Sequence, residues 1–155
     1  MWGWAWWAWW VGCGGRSGPT PCDPPGTQVT APRAAGCVVV VDGQLLLVQN
    51  TAGKWSIPGG YLDGAEDSAA AAARETWEEA HVRVRAGAPA CAVPATRFVA
   101  HWCTPDGHAA PTGDGSETRD ARFFGREALE ALPRDQLRFP DQWGSYLRFV
   151  DHPGP

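Results

Sequence analysis

Two features of many phosphate-binding and metal-binding proteins are missing from this sequence. It has no cluster of basic residues: 13 Lys and Arg stand against 17 Asp and Glu, which leaves a formal net charge of −4. A domain that follows the backbone of a nucleic-acid polymer needs such a cluster, so the balance argues against that class of partner. The five cysteines show no C-x2-C spacing, which argues against a zinc site. They are Cys13, Cys22, Cys37, Cys91 and Cys103.

The sequence also has no apolar run long enough to span a bilayer. Its most apolar part, residues 1–15, holds six tryptophans and no charged side chain, but its eleven apolar residues are too few. No basic region precedes the run, as a secretory signal requires. Three interpretations stay open: a clipped or poorly assigned signal sequence, an interfacial anchor that uses Trp at the headgroup level, or an extension without a role.

The location of the protein also has two interpretations. Residues 11–13 are similar to the end of a bacterial lipoprotein signal, although Trp10 stands where an aliphatic residue is usual. If Cys13 carried a lipid, the Gly- and Pro-rich residues 16–33 would be the tether, and the four other cysteines would suit an oxidising compartment. We expect a cytoplasmic protein, with association to the cell envelope through residues 1–13 as the alternative. In both cases residues 34–155 are expected to form one domain with a real core.

A motif in the middle of the chain has the spacing G-x5-E-x7-R-E-x2-E-E. Its residues are Gly60, Glu66, Arg74, Glu75, Glu78 and Glu79. In a helix over residues 67–80, the last three glutamates fall within an arc of about 100°, so their carboxylates converge on one face. Like charges at this spacing repel, and the cluster makes most sense if a cation lies among them. Carboxylate oxygens suit Mg²⁺, with Mn²⁺ as a possible substitute.

The alternative is an ordinary solvated acidic helix, because Ala, Glu and Arg are all good helix formers. The glycine turn before the helix and Glu66 at a fixed offset favour a metal site. Arg74 lies one turn before Glu78, where it can pair with a carboxylate and orient it. The other face of the helix is mostly small and apolar, so we expect it to lie against a sheet. That face is expected to contain Ala69, Ala70, Ala73, Thr76, Trp77 and Ala80.

The remaining sequence alternates between strand and helix patterns. Asp42-Gly43, between β-rich runs at residues 37–41 and 44–49, predicts a hairpin. Residues 105–116, rich in Pro, Gly and Asp, are predicted to form a surface loop. Further strands are predicted at 82–85, 90–93, 98–104 and 118–124, and helices at 127–132 and 141–150, the last with Trp143, Leu147 and Val150 on one face. This order predicts an α/β layered domain with a mixed sheet.

The motif from Gly60 to Glu79 resembles the signature of the Nudix hydrolases. The segment 55–59, Trp-Ser-Ile-Pro-Gly, and the run 121–124, Ala-Arg-Phe-Phe, are similar to that family as well. The resemblance extends from about Pro32 to the C-terminus. It implies an α/β/α sandwich with a mixed β-sheet, and a hydrolase that cuts a pyrophosphate bond in a nucleoside diphosphate linked to another group. Water would attack phosphorus, and the divalent metal would neutralise charge on the phosphate oxygens.

The resemblance also implies roles for the residues of the motif. Glu75, Glu78 and Glu79 would be catalytic metal ligands, and the Gly59 carbonyl would be a possible further ligand. Glu66 would assist the metal through a water-mediated contact, and Arg74 would orient the cluster. Two positions depart from the family pattern: Thr76 replaces an aliphatic residue, and His81 replaces a glycine. Histidine is among the residues that adopt the left-handed conformation such a glycine supplies at a helix end.

The general base and the substrate contacts stay open at this point. The base would be a glutamate of the motif or a carboxylate of a later loop, for which Glu117 is the candidate and Asp114 and Asp120 are weaker alternatives. Stacking or phosphate contacts could come from Arg97, Phe98, His101 and Trp102, with the alternative that an aromatic residue in a strand belongs to the core. A small nucleotide-type pyrophosphate is the expected partner of a monomer or homodimer. A non-catalytic Nudix-fold module that binds a nucleotide or a partner is the alternative function.

Overall fold

The computed structural model describes residues 22–24 and 26–155. The predictions about the Trp-rich segment 1–15, Cys13 and the first part of the linker lie outside these residues. None of the helices in the described ranges is long and apolar enough to cross a membrane. The strands are β1 Ala34–Val38, β2 Val40–Val41, β3 Gln44–Asn50, β4 Trp55–Ser56, β5 Gly59–Tyr61, β6 Val84–Val93, β7 Phe98–Pro105 and β8 Thr118–Phe124. The helices are α1 Ser68–Ala80, α2 Arg126–Ala131 and α3 Trp143–Asp151, with short 3₁₀ turns at Pro94–Thr96, Arg134–Gln136 and Pro140–Gln142.

The strands form two four-stranded sheets, and the chain passes from one sheet to the other between β1 and β2. One sheet has the order β5-β1-β7-β6, in which β1 and β7 run parallel and the other neighbours antiparallel. In the other, β3 pairs antiparallel with β2, β4 and β8. The predicted mixed sheet is therefore present.

The predicted hairpin is also present. Val40 pairs with Leu45 and Val41 with Gln44, on either side of Asp42 and Gly43. Both turn residues have positive φ, 49° and 72°, as a two-residue turn matched to the twist of the strands requires.

Helices cover the strands on two sides, which gives the expected α/β layers. Successive strand residues alternate between two cores: Leu45 and Leu47 pack with residues of α2 and α3, whereas Leu46 and Val48 pack with residues of α1. This is the period of two that places alternate side chains on opposite faces of a strand. The fold class predicted from the sequence is confirmed.

Helix α1 begins and ends close to the predicted residues. The Asp67 side chain caps the start by accepting from the Ala70 N–H at 2.8 Å. His81 ends the helix in the left-handed conformation, with φ 54°. The predicted packing face was wrong at two positions: Trp77 is 40% exposed, and Ala70 is also exposed. The residues buried against the sheet are Ala71, Ala72, Thr76 and Ala80.

One other prediction about elements needs correction. The predicted strands at 82–85 and 90–93 belong to one strand, β6, which pairs with β7 through irregularities near Pro89. A sequence of Gly and Pro at 87–89 therefore marks a bulge in a strand and not a loop between strands.

In α3, Trp143, Leu147 and Val150 are partly buried and pack against the core, beside the more deeply buried Tyr146 and Phe149.

Two disulfides tie the layers together. Cys37–Cys103 joins the parallel neighbours β1 and β7 in the core beneath α1. Cys22–Cys91 fastens the segment before the domain to β6 in the other core. The Cys22 carbonyl also accepts hydrogen bonds from Ser145 Oγ at 3.3 Å and Arg148 Nη2 at 3.1 Å, both on α3. Residue 22 therefore links β6 to the C-terminal helix.

Candidate active site

The site begins where the glycines of β5 meet helix α1. A Cβ at Gly59 would lie 2.5 Å from the Ala35 carbonyl oxygen, and a Cβ at Gly60 would lie 2.6 Å from Oε1 of Glu75. Both distances are too short for real atoms, so neither position tolerates a side chain without displacement. The glycine of the motif is thus explained by the close approach of a carboxylate to the backbone.

Arg74 holds three of the predicted site glutamates. Its guanidinium donates to Glu66 Oε1 at 2.6 Å, to Glu75 Oε1 at 2.9 Å and to Glu78 Oε2 at 2.9 Å. It also donates to the Tyr61 carbonyl at 3.0 Å, which ties α1 to the end of β5. Hydrogen bonds to Glu66 come first among the causes that raise the pKa of Arg74 far above its usual range. The sequence predicted the orienting contact with Glu78, and the structure adds Glu66 and Glu75.

Glu66 lies in the loop before α1 and is partly exposed. Its Oε1 also accepts from the Asp63 N–H at 2.6 Å. The Arg74 hydrogen bond, with the Asp63 N–H next, holds the pKa of Glu66 below its usual value. This carboxylate is therefore a fixed anion that closes the loop over the start of the helix.

Glu79 is turned the other way, toward the backbone of β5. Its Oε2 accepts from the Gly59 N–H at 2.8 Å. Burial raises the pKa of Glu79 to about 7, with the charges of Glu75 and Glu117 acting in the same direction and the Gly59 N–H and Arg138 opposing them. Burial also raises the pKa of Glu75, against the opposing effect of Arg74. The end of α1 therefore concentrates negative charge that Arg74 only partly neutralises.

Glu117, the predicted loop candidate, lies near this charge. It is exposed, and its carboxylate raises the pKa of both Glu75 and Glu79. Asp114 shapes its loop by accepting from the N–H groups of Ser116, Glu117 and Thr118 at 2.8–3.0 Å. Thr118 Oγ1 then donates to the Glu79 carbonyl at 2.7 Å, which joins the loop to α1.

The two weaker candidates for the base are engaged elsewhere. The hydrogen bonds of Asp114 within its loop hold the pKa of that carboxyl far below its usual value, so it stays an ionised structural acceptor. Asp120 forms an ion pair with Arg122, two residues further along the same strand, β8. Of the three loop carboxylates considered from the sequence, the geometry favours Glu117.

The glutamates do not already stand as a ready set of metal ligands. In residues 22–24 and 26–155, no three His, Cys, Asp or Glu side chains are grouped so that they could hold an ion as they lie. The hydrogen bonds give the reason, because Arg74 holds Glu66, Glu75 and Glu78 while the Gly59 N–H holds Glu79. The donor set is nevertheless made of carboxylates under mutual repulsion, and this suits a hard divalent cation that side-chain rotation would bring into reach.

An open cavity of about 270 Å³ adjoins the glutamates and shares Gly59 and Gly60 with them. Its walls are mainly apolar, with polar side chains at a few points. The residues that line it are Ala34, Ser56, Ile57, Gly59, Gly60, Tyr61, Val93, Thr96, Phe98, Arg138, Phe139 and Gln142. Of these, the segment 138–142 was not singled out from the sequence, because no motif marks it. The Arg138 N–H donates to the Trp55 carbonyl at 2.8 Å, and this pairing brings the segment to the cavity.

Only one of the four predicted substrate-contact residues lines this cavity. Phe98 does, whereas Arg97 bonds the Ala31 carbonyl. Trp102 packs edge-on against Phe149 in the core. His101 is buried beneath α1, with Nε2 2.9 Å from Ser68 Oγ and Nδ1 2.8 Å from the Gly87 carbonyl. Trp102 and His101 thus have structural contacts, as the alternative interpretation of aromatic residues in a strand allowed, and Arg97 is engaged by the Ala31 carbonyl.

Comparison with known proteins agrees with the fold and the motif. The family model described as NUDIX domain matches residues 30–143, so the chain belongs to the NUDIX domain family. A MutT-like protein of Streptomyces ambofaciens is 45% identical over 51 residues, which cover 32% of this chain and 33% of that protein. The chain therefore matches about a third of the length of this relative.

Solved structures share the architecture. A NUDIX hydrolase from Nitrosomonas europaea is 24% identical with a TM-score of 0.65, covering 81% of this chain and 74% of its own. An ADP-ribose pyrophosphatase from Streptococcus suis is 23% identical with a TM-score of 0.58, covering 76% of this chain and 87% of its own. At these identities the likeness establishes the fold alone.

Proposed function

We propose that this domain is a metal-dependent hydrolase that cleaves a pyrophosphate bond in a nucleoside diphosphate linked to another group. The observation that carries the proposal is the charge cluster at β5 and α1, where Arg74 orients three glutamates and Glu79 lies half-enclosed beside Gly59. A cluster of this kind has no use in folding, since like charges on one helix face repel. It opens directly onto a cavity of a size that suits part of a nucleotide.

Glu75, Glu78 and Glu79 would hold Mg²⁺ or Mn²⁺, with the Gly59 carbonyl as a possible further ligand and Glu66 acting through water. When bound, the metal supplies neutralisation of charge on the phosphate oxygens. The chain itself would position the substrate beside these carboxylates: Gly60 lets Glu75 approach the backbone, and Arg74 orients Glu75 and Glu78. Positioning and electrostatics of this kind carry most of the catalysis of phosphoryl transfer.

A carboxylate must take a proton from the attacking water, and Glu117 is our candidate. It is exposed on a loop that Asp114 orders by accepting from three backbone N–H groups. Its negative charge raises the pKa of Glu75 and Glu79. A glutamate of α1 is the alternative base. The loop candidate is favoured because Arg74 and Gly59 do not bond it.

The alternative of a non-catalytic binding module drew on the two departures from the family pattern. Both are accommodated in this fold. Thr76 is fully buried and its Oγ1 donates to the Ala72 carbonyl at 2.8 Å, so its hydroxyl is satisfied. His81 takes the left-handed conformation that the usual glycine would take. Neither departure disturbs the glutamates, and this supports the enzyme over the binding module.

The two disulfides bear on the location. Both expectations, the cytoplasm and the cell envelope, stay proposals, but a pair of disulfides suits an oxidising compartment and therefore favours the envelope. Thiol alkylation under denaturing conditions, directly after acid quenching of the producing cells, tests this, because the four cysteines are buried in the folded domain. Protection of Cys22, Cys37, Cys91 and Cys103 is expected, and labelling of all four would support the cytoplasm.

Turnover of the full chain on ADP-ribose, UDP-glucose and a dinucleoside tetraphosphate, with Mg²⁺ or Mn²⁺, tests the function. We expect metal-dependent release of a phosphomonoester and a fall of about 1,000-fold in kcat for Glu79→Gln. Glu127→Gln is the matched control, because Glu127 is exposed on α2, away from the site. A folded protein that binds metal and turns over none of these substrates would favour the binding module.

A further inference from the structure

A buried hydroxyl joins the loop of the proposed base to the helix of the proposed metal ligands. Thr118 is the first residue of β8 and is only 2% exposed. Its Oγ1 accepts from the Asp114 N–H at 3.0 Å and donates to the Glu79 carbonyl at 2.7 Å. Asp114 Oδ1 is a second acceptor for the single hydroxyl proton, but it lies farther away, at 3.1 Å. One side chain therefore bonds the backbone of the loop and the backbone of α1 at once.

An irregularity in the sheet turns Thr118 toward α1. Asp120 of β8 pairs with Gln49 of β3. The next residue of β3, Asn50, pairs with Thr118, so Arg119 is an extra residue in β8. In regular alternation Thr118 would share the face of Asp120. The extra residue places Thr118 on the opposite face of the strand, where it meets the helix, and a β-bulge re-aims a side chain in this way.

The loop also completes the end of α1. The last four carbonyls of a helix have no partner within the helix. Thr118 donates to one of them, at Glu79, and the Thr112 N–H donates to another, the Ala80 carbonyl, at 3.0 Å. Two points of the loop are thus bonded to the last turn of α1. The loop cannot slide along the helix without breaking both bonds.

Between these two points the loop is closed upon itself. The Asp114 carboxylate accepts from the three successive N–H groups of residues 116–118 at 2.8–3.0 Å. A Cβ at Gly113 would lie 2.7 Å from the carbonyl carbon of Arg119, so the loop folds tightly against the start of β8. The backbone of Glu117 is therefore fixed, while its side chain stays exposed.

The carboxylate of Glu117 is held near other negative charges. Burial raises the pKa of Glu75 and of Glu79, and the charge of Glu117 acts in the same direction on both. Like charges at short range repel, and this repulsion would drive an untied loop away from the helix. The hydrogen bond of Thr118, the residue next to Glu117, opposes that movement. Folding alone has no use for a loop that is tied down where its carboxylate is repelled.

We propose that Thr118 is a positioning residue for the hydrolysis: its hydroxyl holds Glu117, the proposed base, at a fixed place relative to Glu79, the proposed metal ligand. This rests on the proposed function and adds the residue that couples the base to the metal site. A displacement of about 1 Å in a positioned group can cost about 100-fold in rate, so a loosened loop should lower kcat. KM should change little, since neither Glu117 nor Thr118 is among the residues that line the cavity.

Two substitutions separate the hydroxyl of Thr118 from the shape of its side chain. Turnover is measured in the full chain with Mg²⁺ on ADP-ribose, UDP-glucose and a dinucleoside tetraphosphate. Thr118→Val keeps the shape and removes the hydroxyl, and we expect kcat to fall about 30-fold with KM near the wild-type value. Thr118→Ser keeps the hydroxyl, so kcat should stay close to wild type. Thr112→Val is the matched control, because the Thr112 hydroxyl lies 3.3 Å from His81 Nδ1 and bonds neither Glu79 nor Asp114.

The same change in a second background tests whether the hydroxyl acts through the base. Glu117→Gln alone should lower kcat by at least about 100-fold. If Thr118 acts by positioning this carboxylate, Thr118→Val should cost little more in the Glu117→Gln chain, because the two effects are coupled. A purely structural role would lower kcat equally in both backgrounds. A full further loss, with more Mg²⁺ needed for the half-maximal rate, would place the effect at Glu79 and overturn the inference.

Asp114→Ala loosens the loop by another route and serves if Thr118→Val does not fold. Asp114 is partly exposed and lies outside both cores, so its removal leaves them intact. We expect kcat to fall about 10-fold, again with little further loss in the Glu117→Gln chain. Asp106→Ala is its control, since Asp106 pairs with the exposed Arg85 at 2.9 Å, at the other end of the loop.

The outcomes separate this inference from the proposed hydrolase. Absence of turnover of every substrate by the wild-type chain would remove the hydrolase and the positioning role with it. Wild-type turnover with an unchanged kcat in folded Thr118→Val or Asp114→Ala would overturn the inference and leave the hydrolase. An unchanged kcat in Glu117→Gln would do the same, because the base would then lie on α1. A loss of kcat that Thr118→Ser avoids and that vanishes in the Glu117→Gln chain supports the inference.

Discussion

The two halves of the candidate site are built in different ways. The charged half comes from one continuous stretch, residues 59–79, in which a glycine turn feeds a helix that carries the glutamates. The cavity half is assembled from β1, β4, β5, β6, β7 and the segment 138–142, which are far apart in sequence. Apart from the proposed base, Glu117, the chemistry of the site is thus encoded locally, while the recognition of a substrate depends on how the whole domain packs.

Removal of the disulfides is expected to have the largest effect on stability, and one disulfide lies in each core. They close loops of similar length, with separations of 69 and 66 residues, so each is expected to contribute about 4 kcal/mol to the free energy of unfolding. The double variants Cys22→Ala with Cys91→Ala, and Cys37→Ala with Cys103→Ala, should each lower Tm by roughly 8–16 °C. Thermal unfolding measures this.

The kinetics of the same two variants should differ. Loss of Cys22–Cys91 frees the carbonyl that Ser145 and Arg148 hold on α3, the helix that follows Gln142, so we expect KM to rise. Loss of Cys37–Cys103 loosens the core beneath α1 and should lower kcat instead. Assays well below both Tm values separate these effects. Equal changes of KM and kcat in the two variants would contradict the division of the site into halves.

The same contrast explains how much the sequence could predict. Helix α1, its left-handed end at His81 and the hairpin at Asp42-Gly43 depend on short-range spacing and turn chemistry, and these predictions are confirmed. The packing face of α1 was misjudged because apolar small residues surround most of the helix, so periodicity alone did not fix which alanines face the sheet. The single strand β6 was divided because Gly and Pro at 87–89 mark bulges as well as loops.

The cavity could not be predicted, for a physical reason. Gln142 and Tyr146 are one turn apart and look like an ordinary polar and aromatic pair, and nothing in their spacing shows that the Tyr146 hydroxyl donates to Gln142 Oε1 at 3.2 Å. Arg138 likewise reaches the site through pairing of its backbone with Trp55. Contacts of this kind between distant segments leave no spacing pattern in one sequence.

Gly60→Ala tests the charged half at a single atom. The added Cβ would lie 2.6 Å from Oε1 of Glu75, so that carboxylate must move. A displacement of about 1 Å in a positioned group can cost about 100-fold, and we expect a loss of that order in kcat. Gly144→Ala, where a Cβ meets nothing within 4 Å, should leave kcat unchanged. Full activity in a folded Gly60→Ala variant would show that the close approach to Glu75 is not needed.

Arg138→Met tests the cavity half in the same way. Removing this rim charge should raise KM about 10-fold with a smaller change in kcat, because a charged contact to phosphate contributes mainly to binding. The dependence of KM on salt should weaken as well. Arg134→Met is the control, since Arg134 stacks over Trp143 at 3.9 Å and does not line the cavity. A fall in kcat with KM unchanged would place Arg138 in the charged half.

His81→Gly should have the smallest effect and the opposite sign. The residue sits at φ 54°, where a side chain is strained and glycine is not. Against this gain stands the loss of the exposed contacts of the ring: His81 Nδ1 lies 3.2 Å from the Thr112 carbonyl and 3.3 Å from Thr112 Oγ1, and the ring packs edge-on against Trp77. We expect the relief of strain to outweigh these exposed contacts and to raise the free energy of unfolding by about 0.5 kcal/mol in chemical denaturation. Turnover should not change, because the end of α1 lies beyond the glutamates. A loss of stability would mean that these contacts fasten the 105–116 loop to the helix more strongly than their exposure indicates.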